Sequence, residues 1–325
     1  MRDQTGGTLV QVTFSDIVQA ADNIEGKVEN TPLLYWDDVS NLAKAEVWVK
    51  FENWQIGGAF KARGAYNLVS SLGSGDFVTV SSGSFGKVMA KAIAEKPGAS
   101  LTTVVPFTVP EHKIKAIQYY GSEVIKYGAE YKEAEAFAYD LAAQTGRRML
   151  DLESKEAIAG QGTVALEALE FEDFDVILAP AGSGGLVCAT AIVAKNLCPR
   201  AKVFGVQSEA SPAWYASFQA KKLVPVEYKS SIAESLHGGI SQSLLDLALE
   251  VVDGFVLVSE ASIEYAINLA AKKICMIFEG SGAVGIAALL SRRVPDVEGK
   301  KVLVIASGGN LSLDALTDIF KRYRD

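Results

Sequence analysis

The chain has 325 residues, 49% hydrophobic and 22% charged, enough to bury the core of one large domain or two modest ones. Its 31 basic and 39 acidic residues leave a net charge of -8 with no dense Lys/Arg cluster, which argues against a nucleic-acid partner. No apolar run approaches the roughly 20 residues that span a bilayer, and MRDQTGGTLVQV has no signal-peptide core, so a cytoplasmic protein with no membrane partner is expected.

Cys188, Cys198 and Cys275 are odd in number and lack CxxC spacing, so they are read as reduced thiols. His112 and His237 are the only histidines, too few for a multi-histidine metal centre or a convincing Ser-His-Asp hydrolase. No metal site is expected.

In chain order, the first clear strand is VWVKF (47–51). A Gly-Gly turn follows, and Lys61 then opens a stretch whose apolar residues (Ala62, Ala65, Tyr66, Val69) recur at helical spacing. A lysine at a helix start opposes the helix dipole. It is either a solvated surface lysine or one kept for imine chemistry with a carbonyl cofactor.

After the polar break SLGSGD (71–76), the strand FVTVSS (77–82) runs into the turn SSGSFG (81–86) and a helical stretch SFGKVMAKAIAE. Strand LTTVVP, helix PEHKIKAIQYY, strand SEVIKY and helix YKEAEAFAYDLAAQTG follow, up to a second break at QTGRR (144–148). The two breaks bracket a small inserted domain at 73–148, leaving 1–72 plus 149–325 as the large domain.

Strand DVILAPA then enters Gly182, Ser183, Gly184 and Gly185 ahead of a helix. Backbone N–H groups of such a turn can converge on a phosphate at the helix N-terminus, although a tight structural turn has the same composition. Strands KVFGVQ, FVLVS and KVLVIAS complete the series, the last running into SGGN (307–310), and LDALTDIFKRYRD closes the chain as a helix. Strands alternating with helices predict an α/β protein with parallel sheets, whose ligand crevice lies at the carboxyl ends of the strands.

These segments together resemble the fold-type II pyridoxal 5'-phosphate (PLP) enzymes, in particular the threonine dehydratase and serine racemase group. The lysine motif appears as ENWQIGGAFKARGA (52–65), the carboxylate loop as SSGSFG (81–86), the small-domain run as PFTVPEHKIKAIQYYGSEV (106–124) and the phosphate cradle as GSGG (182–185). AGQGTVALE (159–167), FEGSGAVGIAALL (278–290) and SGGN (307–310) match in the same order. The resemblance implies a tryptophan synthase β-like fold of two open parallel-sheet α/β domains.

It also implies roles for individual residues. Lys61 carries the cofactor as a Schiff base. Phe60, Ser84, Gly182, Ser183, Gly184, Gly185, Leu186, Glu279 and Ser307 surround that cofactor, with Ser307 at the pyridine nitrogen. Ser81, Ser82, Gly83 and Phe85 receive the substrate, and Ser82 matches the opposite-face acid-base serine of serine racemases.

The implied activity is a threonine ammonia-lyase-like α,β-elimination on L-threonine, L-serine or a related β-hydroxy amino acid. A serine racemase-type activity and a non-catalytic, PLP-binding amino-acid sensor are the alternatives. IAESLHGGI (232–240) also resembles the dehydratases of hydroxyectoine utilisation. A homo-oligomer, dimer or larger, is implied as well.

Two positions depart from the family pattern. Ser84 stands where asparagine is usual and Phe85 where histidine is usual, which bears on the substrate more than on the chemistry. After KVFGVQ, Gln207 and Ala213 replace the acids that hold a divalent ion in the metal-binding racemases, leaving Glu209 alone.

Overall fold

A computed structural model of the chain describes residues 11–81 and 83–324. Its strands form two sheets. The larger has six strands in the order β1 (Leu33–Tyr35), β2 (Glu46–Phe51), β10 (Lys301–Ala306), β7 (Val176–Pro180), β8 (Lys202–Ser208) and β9 (Gly254–Val258). The smaller has the order β5 (Glu123–Lys126), β4 (Ala99–Val105), β3 (Gly75–Val80) and β6 (Arg148–Met149).

Every pairing is parallel except that of β1 with β2, which adds an antiparallel edge to the larger sheet. Strands β1 and β6, of three and two residues, escaped the sequence reading. Both lie at sheet edges, where so short a segment carries no readable period.

The central strands read as apolar runs because helices cover both faces. All five residues of β7 are buried. Ile17, Ile158, Val187 and Leu244 belong to one cluster on the larger sheet, and Val47, Ile267, Val284 and Leu289 to another. We propose the domain division at residues 73–148, which the strand pairing supports, with β6 lying across its second boundary.

The helix Lys61–Ser70 faces both domains: Ala62, Ala65, Tyr66 and Val69 pack with Phe77, Met89 and Leu101 of the smaller one. Its other side meets the helix Lys155–Phe171 at very short range. A Cβ on Gly64 would stand 2.7 Å from the Ala157 carbonyl, and one on Gly160 would stand 2.5 Å from the Arg63 carbonyl. The glycines of KARGA and AGQGT are thus the close-contact surface that seats the lysine helix. Among the described residues no helix is long and apolar enough to cross a membrane.

Candidate active site

Lys61 is placed by backbone stitching between distant segments. Gly57 and Gly58, at φ of 74° and 78°, make the left-handed turn that only glycine adopts at little cost. The Phe60 N–H donates to the Ser307 carbonyl at 3.0 Å, the Gly309 N–H donates to the Gly58 carbonyl at 3.0 Å, and Ala59 forms a β-bridge with Gly308. The lysine loop is therefore bound edge to edge to the turn that follows β10.

This brings Lys61 to the wall of a cavity of about 1060 Å³ at the carboxyl ends of the larger sheet's strands. Lys61 is half-buried in that wall, and burial lowers the pKa of its amine. Nearby Glu279 opposes that shift and nearby Lys113 reinforces it. The amine also stands over the Phe60 ring, 5.6 Å from its centroid. Glu279 is itself buried, which raises its pKa, while Lys61 and the Ser235 hydroxyl, 3.4 Å away, pull it back down.

The Gly182–Gly185 turn joins β7 to the helix Gly185–Leu197, whose first amides have no intrahelical carbonyl to bond. Gly184 has φ of 105°, and a Cβ there would stand 2.1 Å from the Trp214 ring. A Cβ on Gly182 would reach within 2.7 Å of the Ser235 carbonyl, and one on Gly238 within 2.8 Å of the Ser183 nitrogen. Trp214 is fully buried, stacks on Phe255 at 5.2 Å and donates from Nε1 to the Gly182 carbonyl at 2.8 Å.

The result is a close-packed cup whose glycines have no room for a Cβ and whose helix-start amides are left to donate. Such a cup at a helix N-terminus suits a phosphate. Ser307, 2% exposed, lines the same cavity. The residues present fit PLP: an amine for the aldehyde, a cup for the phosphate and a neutral hydroxyl for the ring nitrogen.

Most of the sequence-derived site residues meet at this cavity. Phe60, Lys61, Ser81, Gly83, Ser84, Phe85, Gly182, Ser183, Gly184, Leu186, Glu279 and Ser307 all line it. Gly185 does not line it, and a Cβ there would stand 2.7 Å from Gln161 Oε1; Ser82 lies outside the described residues. The Ser81 hydroxyl accepts from the Gly86 N–H at 2.8 Å and the Gly83 N–H at 3.2 Å, so it braces the loop against the first turn of the helix Ser84–Ala94. The Ser84 hydroxyl accepts from Asn310 Nδ2 at 2.9 Å.

Several residues of the site carried no sequence signal. Glu135, Asp151 and Glu153 form an acidic stretch of the cavity wall. Burial, with Asp151 adding, pushes Glu153 up to about 7. Ser235 and Gly238, within the IAESLHGGI segment already singled out, complete the cup from a loop about 50 residues downstream of it.

Against this geometry, the model of the family described as "Pyridoxal-phosphate dependent enzyme" matches residues 24–308. The chain belongs to that family. This pyridoxal-phosphate dependent enzyme is 33% identical over 318 residues to L-threonine ammonia-lyase of Thermotoga maritima, covering 96% of this chain and 79% of the relative. It is 34% identical over 321 residues to serine racemase of Dictyostelium discoideum, covering 96% and 98%. Its fold superposes on the solved structure of maize serine racemase with a TM-score of 0.89 at 27% identity, covering 96% of this chain and 98% of that one. These likenesses put it in the threonine dehydratase and serine racemase group.

Proposed function

We propose that this enzyme is a PLP-dependent carbon–oxygen lyase that converts L-threonine, L-serine or a related β-hydroxy amino acid to a 2-oxo acid and ammonia. The observation that carries the reading is the Lys61 amine, its pKa lowered by burial, on the wall of a cavity shared with the glycine cup and Ser307. When bound, PLP supplies the electron-withdrawing system that makes the substrate's α-proton acidic.

The protein's own groups do the rest. Lys61 would hold the cofactor through its amine, and its depressed pKa suits that amine to serve as the base for the substrate's α-proton. Ser307 carries no charge, so it does not hold a proton on the ring nitrogen as a carboxylate would. That favours prompt departure of the β-hydroxyl over transamination. We assign the substrate carboxylate to the N-terminus of the helix Ser84–Ala94, whose first amides, at Ser84 and Phe85, have no intrahelical carbonyl to bond, beside Ser81 and Gly83.

A racemase is the second reading, supported by the likeness to Dictyostelium serine racemase and by Ser82 at the position expected of an opposite-face acid-base group. The test is incubation of the purified holoenzyme with L- and D-β-hydroxy amino acids, following 2-oxo acid, enantiomer and the cofactor spectrum. Release of 2-oxo acid from L-threonine or L-serine is expected. Inversion without any 2-oxo acid would replace the lyase reading by the racemase, and a spectral response with neither product would leave a sensor.

A further inference from the structure

We propose that Asn310 is a positioning residue that, through Ser84, sets the substrate-carboxylate loop against the Lys61 loop. The assignment rests on the reading of the 81–83 loop given above. A single amide nitrogen joins three segments: Asn310 Nδ2 lies 2.9 Å from the Gly57 carbonyl, 2.9 Å from Ser84 Oγ and 3.4 Å from the Gly58 carbonyl. Its two hydrogens serve the glycine turn before Lys61 on one side and the first residue of the helix Ser84–Ala94 on the other.

The glycines at 57 and 58 allow this approach. A Cβ on Gly58 would stand 2.9 Å from Asn310 Oδ1, and one on Gly57 would stand 2.3 Å from Val88 Cγ1 on the same helix. At the far end of that helix, Glu95 accepts a hydrogen bond from the Tyr66 hydroxyl at 2.8 Å. The helix bearing the carboxylate loop is thus tied to the lysine segment at both ends, with Asn310 at the end where the loop begins. Lys113 and Glu234, 3.5 Å apart, form another link between the domains.

Ser84 receives this bond with a short side chain. Because its oxygen accepts from Asn310, its own O–H is left to point elsewhere, and the residue lines the cavity. The hydroxyl at position 84 is therefore engaged with the SGGN turn, a partner that the motif SSGSFG alone does not reveal.

The test is a double-mutant cycle on the holoenzyme with L-alanine as probe, since it carries the amine and carboxylate but no β-hydroxyl to eliminate. Asn310→Ala and Ser84→Ala are each expected to weaken L-alanine binding, read from the cofactor absorption, by about tenfold. The double variant should be no weaker than either single one. Ser84→Thr, which keeps the hydroxyl that accepts from Asn310, should bind like the parent. KM for L-threonine should rise by more than kcat falls.

Independent losses multiplying to about a hundredfold in the double variant would overturn the proposal. So would unchanged L-alanine binding in the single variants, or a change in the resting cofactor spectrum with Ser84→Ala that Asn310→Ala does not share. If the parent enzyme releases no 2-oxo acid, the lyase reading fails while the L-alanine cycle still decides the role of Asn310.

Discussion

Arg63, two residues beyond Lys61, grips Glu52 through two parallel hydrogen bonds, Nε to Oε2 at 2.9 Å and Nη2 to Oε1 at 2.8 Å. Neither side chain is exposed at all. Arg63 also holds Glu167, at 2.6 Å and 2.8 Å, and the buried Lys50 donates to the same carboxylate at 2.6 Å. Two cations and two carboxylates so balance each other beneath the lysine helix. Burial alone would lower the guanidinium pKa, but the two carboxylates outweigh it and raise it.

Breaking this group should cost far more than its net worth, because Glu52 would be left charged and buried. Arg63→Met is expected to destabilise the fold by about 3–5 kcal/mol, a drop in Tm on the order of 10 °C by calorimetry. Arg63→Lys should recover only part of it, since an ammonium cannot reproduce the planar fork. A Tm within 1–2 °C of the parent for Arg63→Met, roughly the effect of a surface change, would show that the network is not what holds the helix.

Gly184→Ala tests the phosphate cup. The substitution costs about 1–2 kcal/mol for an L-residue in the left-handed region, and its methyl must displace the stacked Trp214 ring. PLP affinity, titrated by fluorescence, should fall by more than about tenfold. Gly73→Ala, with no atom within 4 Å of the new methyl, should leave it unchanged.

The Lys61–Lys113 relation predicts the pH at which the cofactor-free protein captures PLP. Burial lowers the Lys61 pKa, Glu279 opposes this and Lys113 lowers it further, so the reactive neutral amine forms below the usual 10.5. Capture, followed by stopped-flow absorption, should accelerate as pH rises through that depressed pKa. Lys113→Met removes the repelling cation and should move the midpoint to higher pH. A midpoint that stays put or moves down would contradict the assignment.

Glu153 predicts a slope in stability. Its pKa is raised from the usual 4.5 to about 7, first by burial and then by Asp151, with the Ser241 hydroxyl opposing and Glu135 adding. The folded state therefore prefers the protonated acid, and the stabilisation that this brings is present below pH 4.5 and lost as pH climbs through 7. Glu153→Gln should be more stable than the parent at pH 8, by at most about 3 kcal/mol, and no more stable at pH 4. Parallel denaturation midpoints at the two pH values would rule this out.

Much of the fold was legible in the chain. Eight of the strands stood out as β-branched runs, the central ones such as β7 because parallel strands covered on both faces must be apolar throughout. Lys61 was singled out by the resemblance of ENWQIGGAFKARGA to the family's lysine motif, whereas the glycine turn and helical period alone left a solvated surface lysine open. The short strands β1 and β6 were not legible, since two or three residues pair only where a neighbouring edge is already in place.

The site divides in the same way. The sequence by itself determined which residues are small, which can donate and which can form an imine: Lys61, the 182–185 turn and Ser307. Only the tertiary structure decided what those residues face. Gly160 is small because the Arg63 carbonyl passes over it, Ser84 meets Asn310, and Glu153 gathers with Asp151 and Glu135 on one wall. Local propensity acts over a few residues, whereas these distances are set by how whole helices and sheets pack.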